Sequence, residues 1–526
     1  MDTKALRKKI LDLAIRGKLV PQDPNDEPAS VLLERIRAQK QQMVREGKLK
    51  SKDIKDDTVI FVGEDNLHYE KFADGSVKCI EDEIPFDLPD GWVWGRLTTL
   101  LDIFITGPFG SSLHKSDYVE NGIPLINPMN IVDGEIIPID KMQISNETVE
   151  RLASFKVIPN DIVIARRGDM GRCAVVHYTQ TGWLCGTGSF VLRLSTFLWP
   201  EYFAACIRSP YAVTYLSGNS IGNTMLNLNQ AILKNLLLPV PPFKEQKRII
   251  DGINNADAYL KQLSDEREHL IATVAKTKSK ILDLAIRGQL VPQNPSDEPA
   301  SVLLDRIRIE KEELIRQGKL KRDKKESVIF RGDDNSYYLK QGDHVEAVDS
   351  QFLFDLPDGW SWCLLPNISH SELGKTLDQA KNTGDLHPYL RSVNIRWDEV
   401  DLSDVNQMRF EPEEIDRYTI TKGDLLICEG GDVGRSAIWI SDNDILYQNA
   451  LHRVRFWGGI NPRFFMYYMM FYESKGIIKD ICKGVTIKHL TGNVLNSVPF
   501  ALPPVDEQIA IVAKIDEAFK LLNTIL

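Results

Sequence analysis

Residues 9–50 read KILDLAIRGKLVPQDPNDEPASVLLERIRAQKQQMVREGKLK, and residues 280–321 read KILDLAIRGQLVPQNPSDEPASVLLDRIRIEKEELIRQGKLK. They are near copies at an offset of 271 residues. A repeat at fixed spacing announces architecture before any local pattern does. Weaker pairs follow a similar period: PFDLPDGWVW from Pro85 and LFDLPDGWSW from Leu353, RRGDMGR from Arg166 and EGGDVGR from Glu429, LPVPPFKEQ from Leu238 and FALPPVDEQ from Phe500. Between Trp94 and Pro239, and between Trp362 and Pro503, only skeleton positions are shared. Neutral drift after duplication degrades all segments alike, and here it does not. The chain reads as one scaffold present twice, carrying two different heads.

The scaffold is helical. After Pro241-Pro242 the chain runs from Phe243 to Arg287 without proline, and Gly252 is its one glycine. Proline before a helix and glycine after it (Gly288) suit its start and stop, and Glu245 in the first turn suits the helix dipole. Ile249, Ile253, Ala256, Leu260, Leu263, Leu270, Val274, Ile281 and Leu284 form a heptad seam, with polar breaks at Arg267 and Thr277. At about 1.5 Å per residue the helix is roughly 60–70 Å long, a rod between domains.

The chain ends repeat parts of that seam. Ile511, Ile515, Ala518, Leu522 and Ile525 match its first half at an offset of 262, and Leu6, Ile10 and Leu13 match its last part at an offset of 271. Laid end to end, the terminal helices rebuild the central one except for the seven residues Asp265–Ile271, one heptad. This implies a cyclic, pseudo-two-fold molecule in which the central helix pairs, antiparallel, with the two terminal helices. Residues 30–50 predict a second, charged helix with Val31, Leu32, Leu33 and Ile36 on its apolar side. The stretch SKDIKDDTVIFVGEDNLHYEKF after it, and its equivalent from Arg322, read as a charged, weakly ordered linker.

Both heads open on Asp-Gly-Trp and continue as short strands with turn signals. PLINPMNI, DIVIARRGDMGRCAVVHY and SFVLRLS are the strand-like runs of the first, and PYLRSVNI, DLLICEGGDVGRSAIWI and HRVRF those of the second. Helical patterns close them at 200–216 and 462–481. Each head is expected to be an α+β domain of about 150 residues.

No catalytic constellation emerges. The HExxH motif is absent, as are clustered metal ligands. Gly168-Asp169-Met170-Gly171-Arg172 lies between two strands and lacks a following Lys-Ser/Thr, so it reads as a hairpin turn and not a phosphate loop. Gly374-Lys375-Thr376 resembles the end of a nucleotide-binding loop, but Ser369 stands where its first glycine belongs. Asn127-Pro128-Met129-Asn130 lacks the second proline and the aromatic residue of an adenine-methyltransferase motif.

The polar loops do suit DNA, whose base edges and phosphates hydrogen-bond Arg, Lys, Asn, Gln and Ser. The candidates in the first head are Ser111, Ser112, His114, Lys115, Asn127, Asn130, Arg166, Arg167, Asn219 and Asn223. In the second they are Lys375, Thr376, Lys381, Arg391, Asn394, Arg396, Lys488 and His489. The net charge of −10 opposes phosphate contact. It is only a sum, however, and a basic face can coexist with acidic helices or be shared with basic partners. Composition, 43% apolar, is that of a globular chain. No stretch approaches a membrane span, the amphipathic start is unlike a signal peptide, and the seven scattered cysteines form no CxxC pair. A cytoplasmic protein with buried free thiols is expected.

The whole arrangement resembles the specificity subunits of Type I restriction-modification systems. LPVPPFKEQKRII and LPPVDEQIAIV look like that family's junction between domain and helix, and the repeated ILDLAIRG-LVPQ-P-DEPAS and GD-GR turns also resemble it. The likeness implies an α+β fold: two target recognition domains separated by long helices forming an antiparallel coiled-coil spacer, a pseudo-two-fold internal repeat. The expected domains are 1–84 (helical region and linker), 85–240 (first target recognition domain), 241–350 (central helix, conserved region, linker), 351–503 (second target recognition domain) and 504–526 (terminal helix). Each target recognition domain would read one half of a bipartite site. The helices would dock two modification (methyltransferase) subunits, and restriction (translocase and nuclease) subunits would join them. S-adenosylmethionine, ATP and Mg would sit on those partners, with no cofactor and no catalysis in this chain. A methyltransferase or nuclease remains as one alternative, and a protein-only scaffold, or an orphan subunit without active DNA reading, as another.

Overall fold

A computed structural model describes residues 2–108, 112–219, 227–322, 327–348, 352, 354–378, 380, 382–482 and 489–526. Its contacts divide the chain into two units, Met1–Glu266 and Arg267–Leu526. The division falls inside one continuous helix, Phe243–Ile286, which Gly288 terminates at φ +66°.

Each unit pairs its part of that helix with one end of the chain. In the first, Leu11, Ala14 and Ile15 of the helix Thr3–Ile15 share a core with Ile249 and Ile253. Arg7 donates to Asp257 at 2.8 Å, and Gln22 donates to Glu245 at 3.2 Å. Numbers rise on one side as they fall on the other, so the pair is antiparallel. In the second unit Leu282, Ala285 and Ile286 pack with Ile511, Val512 and Ile515 of the helix Val505–Asn523, and Lys278 donates to Asn523 at 2.6 Å. The middle of the seam is bare: Leu263, Leu270 and Ile271 are 44%, 37% and 46% exposed. This is where the terminal helices lack counterparts to Asp265–Ile271.

The stretches expected as weakly ordered linkers are ordered sheets. Val59–Val62, His68–Lys71 and Val77–Cys79 form an antiparallel meander, and so do Ser327–Arg331, Tyr337–Gln341 and His344–Ala347. At their turns Asn66 (φ +61°), Gly75 (φ +90°) and Asn335 (φ +67°) supply the left-handed residue that tight hairpins need. Cys79 lies on the first of these sheets and is exposed, against expectation, while the other six cysteines are buried.

The duplicated Asp-Gly-Trp and Pro-Pro-x-x-Glu-Gln motifs meet at the neck of each head. Val93–Arg96 pairs antiparallel with Leu237–Val240, and Ser361–Leu364 with Pro499–Leu502, so each head's chain enters and leaves through one clasp. Trp92 Nε1 donates to Glu245 (3.0 Å), and Trp360 Nε1 to Glu507 (2.9 Å). Gln246 accepts from the Trp199 amide and donates to the Pro241 carbonyl, both at 3.0 Å. Gln508 does the same between Asn461 and Pro503 at 2.9 Å. Each glutamine thus satisfies a proline carbonyl just before its own helix begins.

Beyond the clasp lies a four-stranded antiparallel sheet. Its order in the first unit is Cys173–Val175, Ile162–Ala165, Ser189–Leu194, Leu101–Thr106; in the second it is Ser436–Ile438, Leu425–Cys428, Leu451–Phe456, Ser369–Leu373. Ile162, Ile164 and Leu192 face the helices, while Val163, Ala174 and Val191 face a second core. Both faces are covered, which is why Ile-Val-Ile-Ala is apolar throughout and not alternating. The closing helical patterns are each broken in two. Pro210 starts a new helix (Pro210–Asn219) after Pro200–Arg208, and Gly476, at φ +72°, separates Pro462–Ser474 from Ile477–Ile481.

Candidate nucleic-acid interface

Ala165 pairs with Ser189, Ile164 with Cys173, and Phe190 with Thr106. The ends of four strands therefore coincide, and the loops leaving them gather at one end of the sheet. The same happens in the second unit, where Cys428 pairs with Leu451, Ile427 with Ser436, and Leu373 with His452.

The glycine turns are hairpin turns between adjacent strands, as expected. Gly168 and Gly171, and likewise Gly431 and Gly434, stand at φ between +75° and +84°, the region open to residues without Cβ. The arginine that ends each turn was missed as a functional residue by sequence reasoning. Arg172 binds Asp169 (2.9 Å) and donates to the Pro128 carbonyl (3.2 Å). Arg435 pairs with Asp432 and donates to the Ser392 carbonyl (3.0 Å). Each arginine thus ties the hairpin to a neighbouring single-turn helix, Pro128–Asn130 or Ser392–Asn394. The shared GD-GR spelling was the available signal.

The candidates fall into distinct groups. Asn130 and Asn394 are buried, with their amides committed to those turns. Asn130 donates to Ile137 O (2.9 Å) and accepts from the Asn127 amide (2.9 Å); Asn394 donates to Asp401 O and Asp404 O and accepts from the Arg391 amide, each at 2.9 Å. Lys375 is also buried, ion-paired with Glu414 and 5.2 Å from the centre of the Phe410 ring. Polar atoms consumed in this way shape the loops and are not offered to a ligand.

Others face outward. His114 and Lys115 are exposed beside half-buried Ser112, whose carbonyl accepts from Arg151 at 2.8 Å. Asn127 is half-buried, its amide 3.7 Å from Met142 Sδ. Arg167, Thr376, Arg396 and His489 are exposed, as is Asn219, which caps Tyr215 O at 2.8 Å. Arg391 is half-buried and donates to Asp404 at 2.7 Å. Arg166 lies at the sheet end with its guanidinium 4.8 Å from the Phe190 ring centre. Ser111, Asn223, Lys381 and Lys488 lie outside the described residues. The sheet end brings together Arg166 and Arg167 in one unit and Lys375 and His489 in the other, where Arg396 also lines a cavity with Gly431, Asp432 and Arg435 of the glycine turn.

His452 occupies in the second unit the place of Phe190 in the first, since each pairs with the penultimate residue of the central strand. It is 1% exposed and 2.9 Å from the Leu490 carbonyl through Nε2, which fixes the neutral tautomer with Nε2 as donor. Burial pushes its pKa below 6.5. The unfolded state therefore takes up this proton first, and stability that is full above pH 6.5 falls as the pH drops toward the depressed value. We expect the melting temperature of the second unit to decline between pH 7.5 and 5.5, and His452→Phe to reduce that decline, as scanning calorimetry at stepped pH will show.

Among the described residues no group of three or more His, Cys, Asp or Glu is arranged to hold a metal ion, and no helix is long and apolar enough to cross a membrane. The chain was compared with known proteins. The specificity subunit of the Type I restriction enzyme EcoAI from Escherichia coli is 27% identical over 99% of this chain and 89% of its own length. That of EcoEI, also from Escherichia coli, is 25% identical over 98% and 89%. A chain from a structure described as "Structural basis underlying complex assembly and conformational transition of the type I R-M system" matches in fold, with TM-score 0.53 at 17% identity over 84% of this chain and 93% of its own. The family model described as Type I restriction modification DNA specificity domain matches residues 89–271 and 357–526. Each match encloses one clasp, one sheet end and the helix that follows, and the chain belongs to the Type I restriction modification DNA specificity domain family.

Proposed function

We propose that this chain supplies the DNA specificity of a Type I restriction-modification complex, each sheet end reading one half of a bipartite target. The observation that carries this reading is one loop platform built twice with different side chains upon it. The clasp, the glycine turn and its arginine repeat, while the outward residues do not. A scaffold that only held two partners would have no need to vary there. The long helix and its two partners set the spacing and dock modification subunits, two by the symmetry of the repeat, with restriction subunits joining them. S-adenosylmethionine, ATP and Mg then belong to those subunits. With a net charge of −10, this chain contributes discrimination, and much of the phosphate affinity comes from its partners.

The test is a genome-wide map of methylated adenines in a methylation-free host expressing the cognate modification subunit, with and without this chain. A split motif that appears only with the chain is the expected result. An intact complex that leaves no motif overturns the reading in favour of a protein-only scaffold.

A further inference from the structure

Arg166 and Glu429 occupy the same place in the two units. Each is the first residue past the central strand of its sheet. The Arg166 amide donates to Gly188 O (2.8 Å) and its carbonyl accepts from Leu228 (2.9 Å). The Glu429 amide donates to Ala450 O (2.9 Å) and its carbonyl accepts from Leu490 (2.8 Å). Two backbone bonds on opposite sides thus fix both residues identically, and only the side chain differs: a cation in one unit, an anion in the other.

The Arg166 side chain is left partly unsatisfied within the described residues. The Arg166 guanidinium lies over Phe190, its Nε is buried without a hydrogen-bond partner, and its neighbour Arg167 is a second cation. Glu429 is half-buried. The Arg166 Nε, removed from water without a partner, costs free energy that a bound ligand can return. The ring lies 4.8 Å from the guanidinium, whose own planar fork is the shape bidentate recognition requires.

We propose that these two residues set base preference in the two heads, Arg166 selecting guanine in one half of the target and Glu429 selecting cytosine in the other. Guanine presents two acceptors, O6 and N7, to the major groove, matching a guanidinium fork. A carboxylate needs a donor, which cytosine N4 and adenine N6 both provide. Adenine sets the acceptor N7 beside its amine and repels the second carboxylate oxygen, so cytosine is the better match. The assignment rests on the heads reading DNA.

The assembled complex with its modification subunits is used for the test. Methylation maps and duplex-binding panels, substituted one base pair at a time across the motif, are compared for the wild-type chain, Arg166→Ala and Glu429→Ala. Arg166→Gln and Glu429→Gln serve if an alanine chain does not assemble. At one base pair of one half-site, preference is expected to fall from about 5–150-fold to near unity, the range one good base contact provides, with the other half unchanged. A glutamine variant moves the preferred base at that pair toward adenine. Wild-type preference at every pair overturns the assignment, and so does an equal loss of affinity across the whole panel, which marks a phosphate anchor. Relaxation in favour of adenine in the wild-type second half overturns the choice of cytosine. A wild-type chain that yields no split motif defeats DNA reading itself, a result distinguishable from the others.

Discussion

Arg96→Leu is expected to cost the first unit about 3–5 kcal/mol, and adding Glu70→Leu to recover most of that loss. Arg96 and Glu70 have side chains 9% and 4% exposed and meet through Nε at 3.1 Å and Nη2 at 2.8 Å. Arg96 also donates to Glu83 (2.6 Å) and to Asn235 O (2.8 Å). Removing only the arginine strands a buried carboxylate, and that is the expensive event; removing both charges leaves an apolar contact. The second unit makes the same comparison. Its meander pairs Ile329 with Leu339 where the first pairs Ile60 with Glu70, and Leu364 holds the clasp position of Arg96. At roughly 2–4 °C per kcal/mol for a unit of this size, the single variant lowers the melting temperature by about ten degrees. A double variant as unstable as the single one refutes the account.

The largest functional effect is expected from exchanging residues 97–236 for the matching segment of a family member with another target. One half of the recognised motif should be replaced and the other retained. Both cuts fall at the clasp, where Arg96 pairs with Leu237, so the sheet and all its loops travel together. The core of the second unit contains none of the exchanged residues. Each mismatched base pair costs about 1–3 kcal/mol, so a change at three pairs shifts preference by a factor of roughly a hundred to a million. Methylation mapping reads this directly. An unchanged motif, or one altered in both halves, shows that the heads do not read independently.

The architecture was legible in the sequence wherever a period carried it. The offset of 271 residues between the copies and the heptad seam exposed the duplication and the antiparallel helices, because helical side chains at fixed spacing share a face whatever surrounds them. The meanders were not legible. Lys52, Asp53, Lys55, Asp56 and Asp57 disguise the lead-in to the strand Val59–Val62, and Glu70 reads as surface until Arg96 arrives from a distant segment to neutralise it. The site was half legible. Residue type alone nominated Asn130, Asn394 and Lys375, yet tertiary neighbours consume their polar atoms. It passed over Arg172, Arg435 and Glu429, whose positions depend on which strand ends lie side by side. The matched spelling RRGDMGR and EGGDVGR had already marked the spot.

The near-identical segments 9–50 and 280–321 also bear on heredity. Where the coding sequence preserves that likeness, homologous recombination between the copies deletes one period of 271 residues without disturbing the reading frame. What remains is the second head with its own clasp and sheet, its terminal helix Val505–Asn523 now facing a helix that begins in the first unit's N-terminal segment. The crossover lies in the helices Thr3–Ile15 and Ala29–Arg45 or the loop between them, away from the sheet end, so such a shortened allele keeps the second recognition surface whole and loses the first. Specificity in this chain is therefore arranged as an exchangeable cassette, and rearrangement of the gene alters it in whole steps.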